Sequence, residues 1–185
     1  MLDDIYSDLK TRMDKTIHSL EKDLLKIRTG RATPAILDGL AANYYGTATP
    51  LNQMASISVP EPRTLLIQPW DLAALGEIEK VILKSDLGLT PQNDGKVIRV
   101  NIPVLSKERR KELSKLVSKI AEEAKISLRN LRREANDLLK ELKASKDIGE
   151  DEQKKGEEQV QKVTNGYVAK VDAVAAAKEK EIMEF

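Results

Sequence analysis

"IRVNIPVLSKERRKEL", residues 98–113, is where one kind of chain becomes another. Before Pro103 lies "KVIRVNI", a short run of strand formers, residues 96–102. After it Ser106 stands as a helix N-cap, with Glu108 and Glu112 near the positive end of the helix that follows. From there Leu113, Leu116, Ile120, Ala124, Leu128, Leu131, Ala135, Leu138 and Leu142 recur at a mean spacing of about 3.6 residues, the period of one helix face. The proline therefore separates two architectures.

Further along the chain the helical period is broken by "KASKDIG", residues 143–149, and then resumes. A last helix opens on Glu150, Asp151 and Glu152, acids that complement its dipole, and carries Val160, Val163, Tyr167, Val171, Val174 and Ile182. Gly149 precedes it. Gly156 and Gly166 fall within it and are each expected to weaken it by roughly 1 kcal/mol relative to alanine. Tyr167 reads as core and Phe185 as a frayed end.

Back along the chain, residues 31–105 hold all seven prolines. The runs "ILDGLAANYYG", "MASISV" and "RTLLIQP" are rich in strand formers, and Asp94 with Gly95 is a tight-turn signal. One amphipathic helix interrupts them, "LGEIEKVILKSD", with Ile78, Val81 and Ile82 on one side. The first segment is helical again. Leu2, Ile5, Leu9, Met13, Ile17, Leu20, Leu24 and Ile27 share a face, with Gly30 and Pro34 as the stop. His18 points away from that face.

Helical parts thus flank an α+β part. The economical architecture is an antiparallel three-helix bundle, residues 1–30 and 106–185, with a small domain, residues 31–105, inserted between. Two strands of chain join them, near 30–33 and 103–106, and such a double connection can hinge. A coiled coil with a decorated loop is the alternative. A period of about 3.6 without paired charges at its flanks favours the bundle.

The net charge of +1 conceals a partition. Residues 106–143 carry twelve basic and seven acidic side chains, whereas residues 144–185 carry seven and ten. A local patch of this kind can bind a polyanion although the whole chain is nearly neutral. Cysteine is absent, which excludes disulfides and thiolate chemistry and fits a reducing cytoplasm. There is no apolar run long enough to span a membrane, and no signal or transit peptide is expected. Phosphate-binding, dinucleotide, zinc-protease and serine-hydrolase motifs are all missing. The aspartates at 86 and 94 lack calcium-loop spacing. No catalytic residue, metal or cofactor is expected.

The charged stretch "RNLRREAN", residues 129–136, is the candidate site. On a wheel of about 100° per residue with Arg129 at zero, Lys111, Lys115, Lys125, Arg132, Arg133 and Lys140 fall within about 60° of it. The apolar set lies opposite. Between Lys111 and Lys140, only Glu122 among the acids falls in the basic stripe. Like charges at Lys125, Arg129 and Arg133 mildly destabilise a free helix. Arginine forks suit phosphate. Structured RNA or a duplex backbone fits better than a single strand, because stacking aromatics are scarce. An ordinary solvated face remains the competing reading.

"KIRTGRATP", "RTLLIQPWD", "IEKVILKSDLGLTP", "IRVNIPVLSKERRKEL" and "RNLRREAND", in this order and over the whole length, resemble the ribosome recycling factors. The resemblance implies a three-helix bundle interrupted by a β/α/β domain, in an L shape. It implies no hydrolytic site. It implies binding to the post-termination ribosome along large-subunit RNA, and subunit splitting with GTP-bound elongation factor G. By it, Arg132 is the foremost RNA contact, with Arg129, Arg133 and Lys125 on its face. Arg109, Arg110 and Lys111 lie at the start of the same helix, and Arg28 and Arg31 by the other crossing. Thr33, Pro103, Val104 and Leu105 would be hinge residues. The β/α/β domain would meet elongation factor G and a small-subunit ribosomal protein, and the chain would act as a cytoplasmic monomer. Relatives place serine where this chain has Gly149.

Overall fold

The computed structural model describes all 185 residues. In chain order they form α1 (Leu2–Leu25), β1 (Ala41–Tyr44), β2 (Thr47–Pro50), β3 (Ala55–Glu61), β4 (Thr64–Pro69), α2 (Leu75–Lys84), β5 (Pro91–Asn93), β6 (Ile98–Asn101), α3 (Lys107–Ala144) and α4 (Glu150–Glu184). They divide into two compact units. One is Met1–Ile27 with Glu108–Met183; the other is Arg28–Lys107 with Glu184–Phe185. No helix is long and apolar enough to cross a membrane.

The first unit is a bundle of α1, α3 and α4. The 38 residues of α3 extend about 57 Å at about 1.5 Å per residue. Helix α3 runs antiparallel to both neighbours. Arg12 of α1 meets Glu134 at 2.6 Å, and Lys125 of α3 meets Asp172 of α4. Helices α1 and α4 run the same way: the Tyr6 hydroxyl lies at Gly156, and further along both helices the Tyr167 hydroxyl donates to Asp14 Oδ1 at 2.6 Å. The core holds Leu9, Met13, Leu20 and Leu24 of α1, with Leu113, Val117, Leu128 and Leu139 of α3 and Val160, Val171 and Ile182 of α4.

The buried seam of α3 differs from the expected one. Leu116 and Leu138 are 41% and 45% exposed, while Val117, Ala121 and Leu139 are buried. The seam is rotated by about 40° toward the side that carries Lys125 and Arg132. The sequence hides this because neighbouring apolar pairs such as Leu116–Val117, Ile120–Ala121 and Leu138–Leu139 fit either seam.

Helix α1 also ends sooner than expected. It stops at Leu25 with Lys26 as its right-handed C-cap, five residues short of Gly30. Gly30 is not a left-handed stop. A Cβ built there would lie 1.9 Å from the backbone oxygen of Phe185, so the glycine admits the chain terminus. Phe185 is accordingly packed rather than frayed, with the Arg31 guanidinium 5.8 Å from its ring centre. Gly156 likewise makes room, with Leu139 methyls at 3.0 and 3.1 Å from its would-be Cβ, whereas Gly166 has open space around it. His18 is exposed and Tyr167 buried, as expected.

The second unit contains a β1–β2 hairpin and an antiparallel sheet in the order β3-β4-β6-β5, with α2 as its helix. Leu65 and Ile67 of β4, Ile98 and Val100 of β6, and Ile78 and Ile82 of α2 form one core. Asp94 Oδ1 accepts from the Lys96 and Val97 amides and closes the β5–β6 turn. Those amides hold its carboxyl below the usual range. The β1–β2 turn was not legible, because it puts Tyr45 as well as Gly46 at positive φ (49° and 83°). The Asn43 side chain accepts from the Gly46 amide there.

Candidate nucleic-acid interface

The expected basic stripe lies on α3, and the side chains within it have very different partners. Arg129 is exposed but ion-paired with Glu122 at 2.9 Å, the one acid that shares its arc. Lys125 is half-buried by the rotated seam, its side chain 22% exposed, and bound to Asp172 of α4. Lys140 pairs with Asp137 and Arg109 with Glu112. These charges are locally neutralised. They add little to stability, because exposed pairs are worth only about 0–1 kcal/mol.

Arg132 and Arg133 are different. Arg133 is exposed and has no acid within ion-pair distance. Arg132 is half-buried and donates from Nη1 to Gln161 Oε1 of α4 at 3.2 Å. That partner is neutral, so the full positive charge survives and the rest of the planar fork stays available. Lys111 and Lys115 are exposed at the start of the helix.

Arg110 serves the bundle itself. Its Nη1 donates to the Met183 carbonyl at 2.8 Å, at the end of α4, whose last turn has no basic residue of its own. A cation from α3 thus covers the negative end of α4. Arg28 and Arg31 belong to the second unit. Thr33 precedes a short 3-10 turn at Pro34–Leu37 in extended backbone, and Pro103, Val104 and Leu105 lie in irregular backbone between β6 and α3. The grooves along α1 and α3 are open; one of about 440 Å³ is lined by Arg12, Lys15, Thr16, Ser127, Asn130 and Leu131. No His, Asp or Glu cluster is placed to hold a metal.

The arrangement is a long rigid helix with two unneutralised arginines projecting beside a neutralised set, suited to contacts with phosphates. The family described as Ribosome recycling factor matches residues 20–183 of this sequence. The chain belongs to the ribosome recycling factor family. A ribosome recycling factor of Syntrophobacter fumaroxidans is 55% identical over 184 residues, covering all of both chains. One of Shouchella clausii is 56% identical with the same coverage. A solution structure of a ribosome recycling factor is similar at TM-score 0.74 and 41% identity, over 100% of this chain and 98% of that one. A second similar structure, at TM-score 0.65 and 47% identity over 98% of each chain, is of the T. thermophilus factor. It is described with E. coli elongation factor G bound to the E. coli post-termination complex. Ribosome recycling factors are non-enzymatic translation factors that bind ribosomes in protein biosynthesis, and the bundle with its α+β domain is their fold.

Sequence reasoning missed the residues of α4 that face the stripe: Asp172, Gln161 and Asn165. The signal available was register. Once α3 and α4 are antiparallel neighbours, positions seven apart on one face positions seven apart on the other.

Proposed function

We propose that this chain binds the post-termination ribosome through phosphates of large-subunit RNA, using the α3 face centred on Arg132 and Arg133. With GTP-bound elongation factor G it then separates the subunits in the cytoplasm. Elongation factor G and a small-subunit protein are met by the α+β unit, and the backbone at Thr33, Pro103, Val104 and Leu105 acts as the hinge. The observation that carries the reading is the charge left over on α3. Arg132 and Arg133 lack acid partners in a chain whose net charge is only +1. The similar T. thermophilus factor, described with elongation factor G on a post-termination complex, supports the partner.

The test is titration of isolated bacterial large subunits at several salt concentrations. Arg132→Ala is expected to weaken binding and to reduce the slope of log K against log salt by about 0.7 to 0.9, one phosphate contact. Affinity and slope both unchanged would remove this face from the site. A splitting assay with elongation factor G and GTP tests the rest of the reading.

A further inference from the structure

The face of α4 that meets α3 repeats a pattern and then departs from it. Ser118 of α3 donates to Glu179 of α4 at 3.1 Å. Seven residues on, Lys125 of α3 pairs with Asp172, seven residues back along α4. One more step of seven on each helix leads to Arg132 and Asn165. Glutamate and aspartate occupy the first two α4 positions; an amide occupies the third. Arg132 is held there by Gln161, one turn from Asn165.

The two amides form a directed relay. A guanidinium only donates, so Gln161 must offer it the carbonyl oxygen. The Gln161 amide nitrogen is then free to donate, and it does so to Asn165 Oδ1 at 2.7 Å. The arginine thereby dictates which end of Gln161 faces it, and Asn165 anchors the other end. An acid at either position would hold Arg132 more strongly, but it would cancel the charge, as Asp172 does for Lys125 and Glu122 for Arg129.

We propose that Gln161, steadied by Asn165, is a positioning residue that holds the Arg132 fork for phosphate while leaving its charge intact. Immobilising one nitrogen of a long side chain lowers the ordering cost when the remaining donors meet an anion. The proposal rests on the reading of Arg132 as a phosphate contact.

The experiment compares Gln161→Glu, Gln161→Ala and Arg132→Ala in the full-length chain, binding isolated bacterial large subunits across a salt series. Ala177→Glu serves as a control that adds an acid at an exposed position elsewhere on α4. Gln161→Glu is expected to bind about tenfold more weakly, to lose about one contact from the salt slope, and to melt no lower than the parent chain. Gln161→Ala keeps the charge, so its slope should be unchanged while its affinity falls about threefold. Ala177→Glu should leave the slope alone. If Arg132→Ala weakens binding but Gln161→Glu keeps the parental slope, the positioning role is wrong and the RNA face stands. If Arg132→Ala itself changes nothing, the reading of the face fails and the positioning role with it. A slope lost equally in Gln161→Glu and Ala177→Glu would mean bulk charge, and would also overturn the proposal.

Discussion

Glu122 marks how narrow the difference is between an arginine without an acid partner and one that is occupied. Arg129 and Arg133 stand one turn apart on α3, yet only Arg129 has a carboxylate, at 2.9 Å. Glu122→Gln would release that guanidinium without altering the helix, since both side chains are exposed. Affinity for large subunits should rise, and the salt slope should steepen by up to one contact, about 0.7 to 0.9. An unchanged slope would place Arg129 outside the interface. A second single-residue prediction concerns Tyr167. Burial first, and then the Asp14 hydrogen bond, favour its protonated phenol and push its pKa up to about 12. In the unfolded chain the phenol ionises near pH 10, about its ordinary value. The folded state therefore binds the extra proton between those two values. This stabilisation is complete below about pH 10 and is lost as pH rises through about 12. Tyr167→Phe should melt lower than the parent at pH 8, and the gap between them should close by pH 12. A gap that stayed constant would assign the cost to packing alone.

At the scale of elements, the two glycines inside α4 look alike in sequence and differ in structure. Either one replaced by alanine gains about 1 kcal/mol of helix propensity. At Gly166 nothing lies within 4 Å of the new methyl, so the gain should appear in full, as a Tm increase of about 2–4 °C. At Gly156 the methyl meets both Leu139 methyls and the Tyr6 hydroxyl at 3.0 to 3.3 Å. Leu139 is fully buried, and overpacking such a site costs about 1–3 kcal/mol. Gly156→Ala should therefore lower the Tm in the same calorimetric scan. An equal rise in both would show that the α3–α4 seam relaxes freely. The cap of α4 shows the same dependence on neighbours. Gly149 offers no side chain, but Glu152 reaches back and accepts from its amide at 2.8 Å, so half of a capping box is already made. The helices of the bundle were legible because their apolar period persists over many turns. The end of α1 and the exact seam of α3 were not. Phe185, which explains Gly30, lies far from it in sequence, and Ala121, too small to mark an apolar face, is buried while Leu116 stays exposed. The arginine stripe was legible as a wheel, but its division into occupied and unoccupied charges depends on α4, which a wheel of α3 leaves out.

For the whole molecule, two separate cores imply two stabilities. Ile67 is fully buried in the second unit, among residues of β4, β6 and α2. Leu128 is fully buried in the bundle. Truncating either to alanine removes about 2–5 kcal/mol of packing, depending on how far the site collapses. If each core supports its own unit, Ile67→Ala should speed amide exchange throughout the sheet and α2, and leave the central amides of α3 and α4 as slow as before. Leu128→Ala should do the reverse, and exchange measured by mass spectrometry on peptides from each unit would separate the two cases. The outcome bears on mechanism. Units with independent stabilities, connected by irregular backbone at Pro103, Val104 and Leu105, can reorient without either one unfolding, as the proposed hinge requires. If each truncation instead raised exchange equally in both units, the molecule would open as one body. The proposed subunit separation would then have to be driven with the two units moving together.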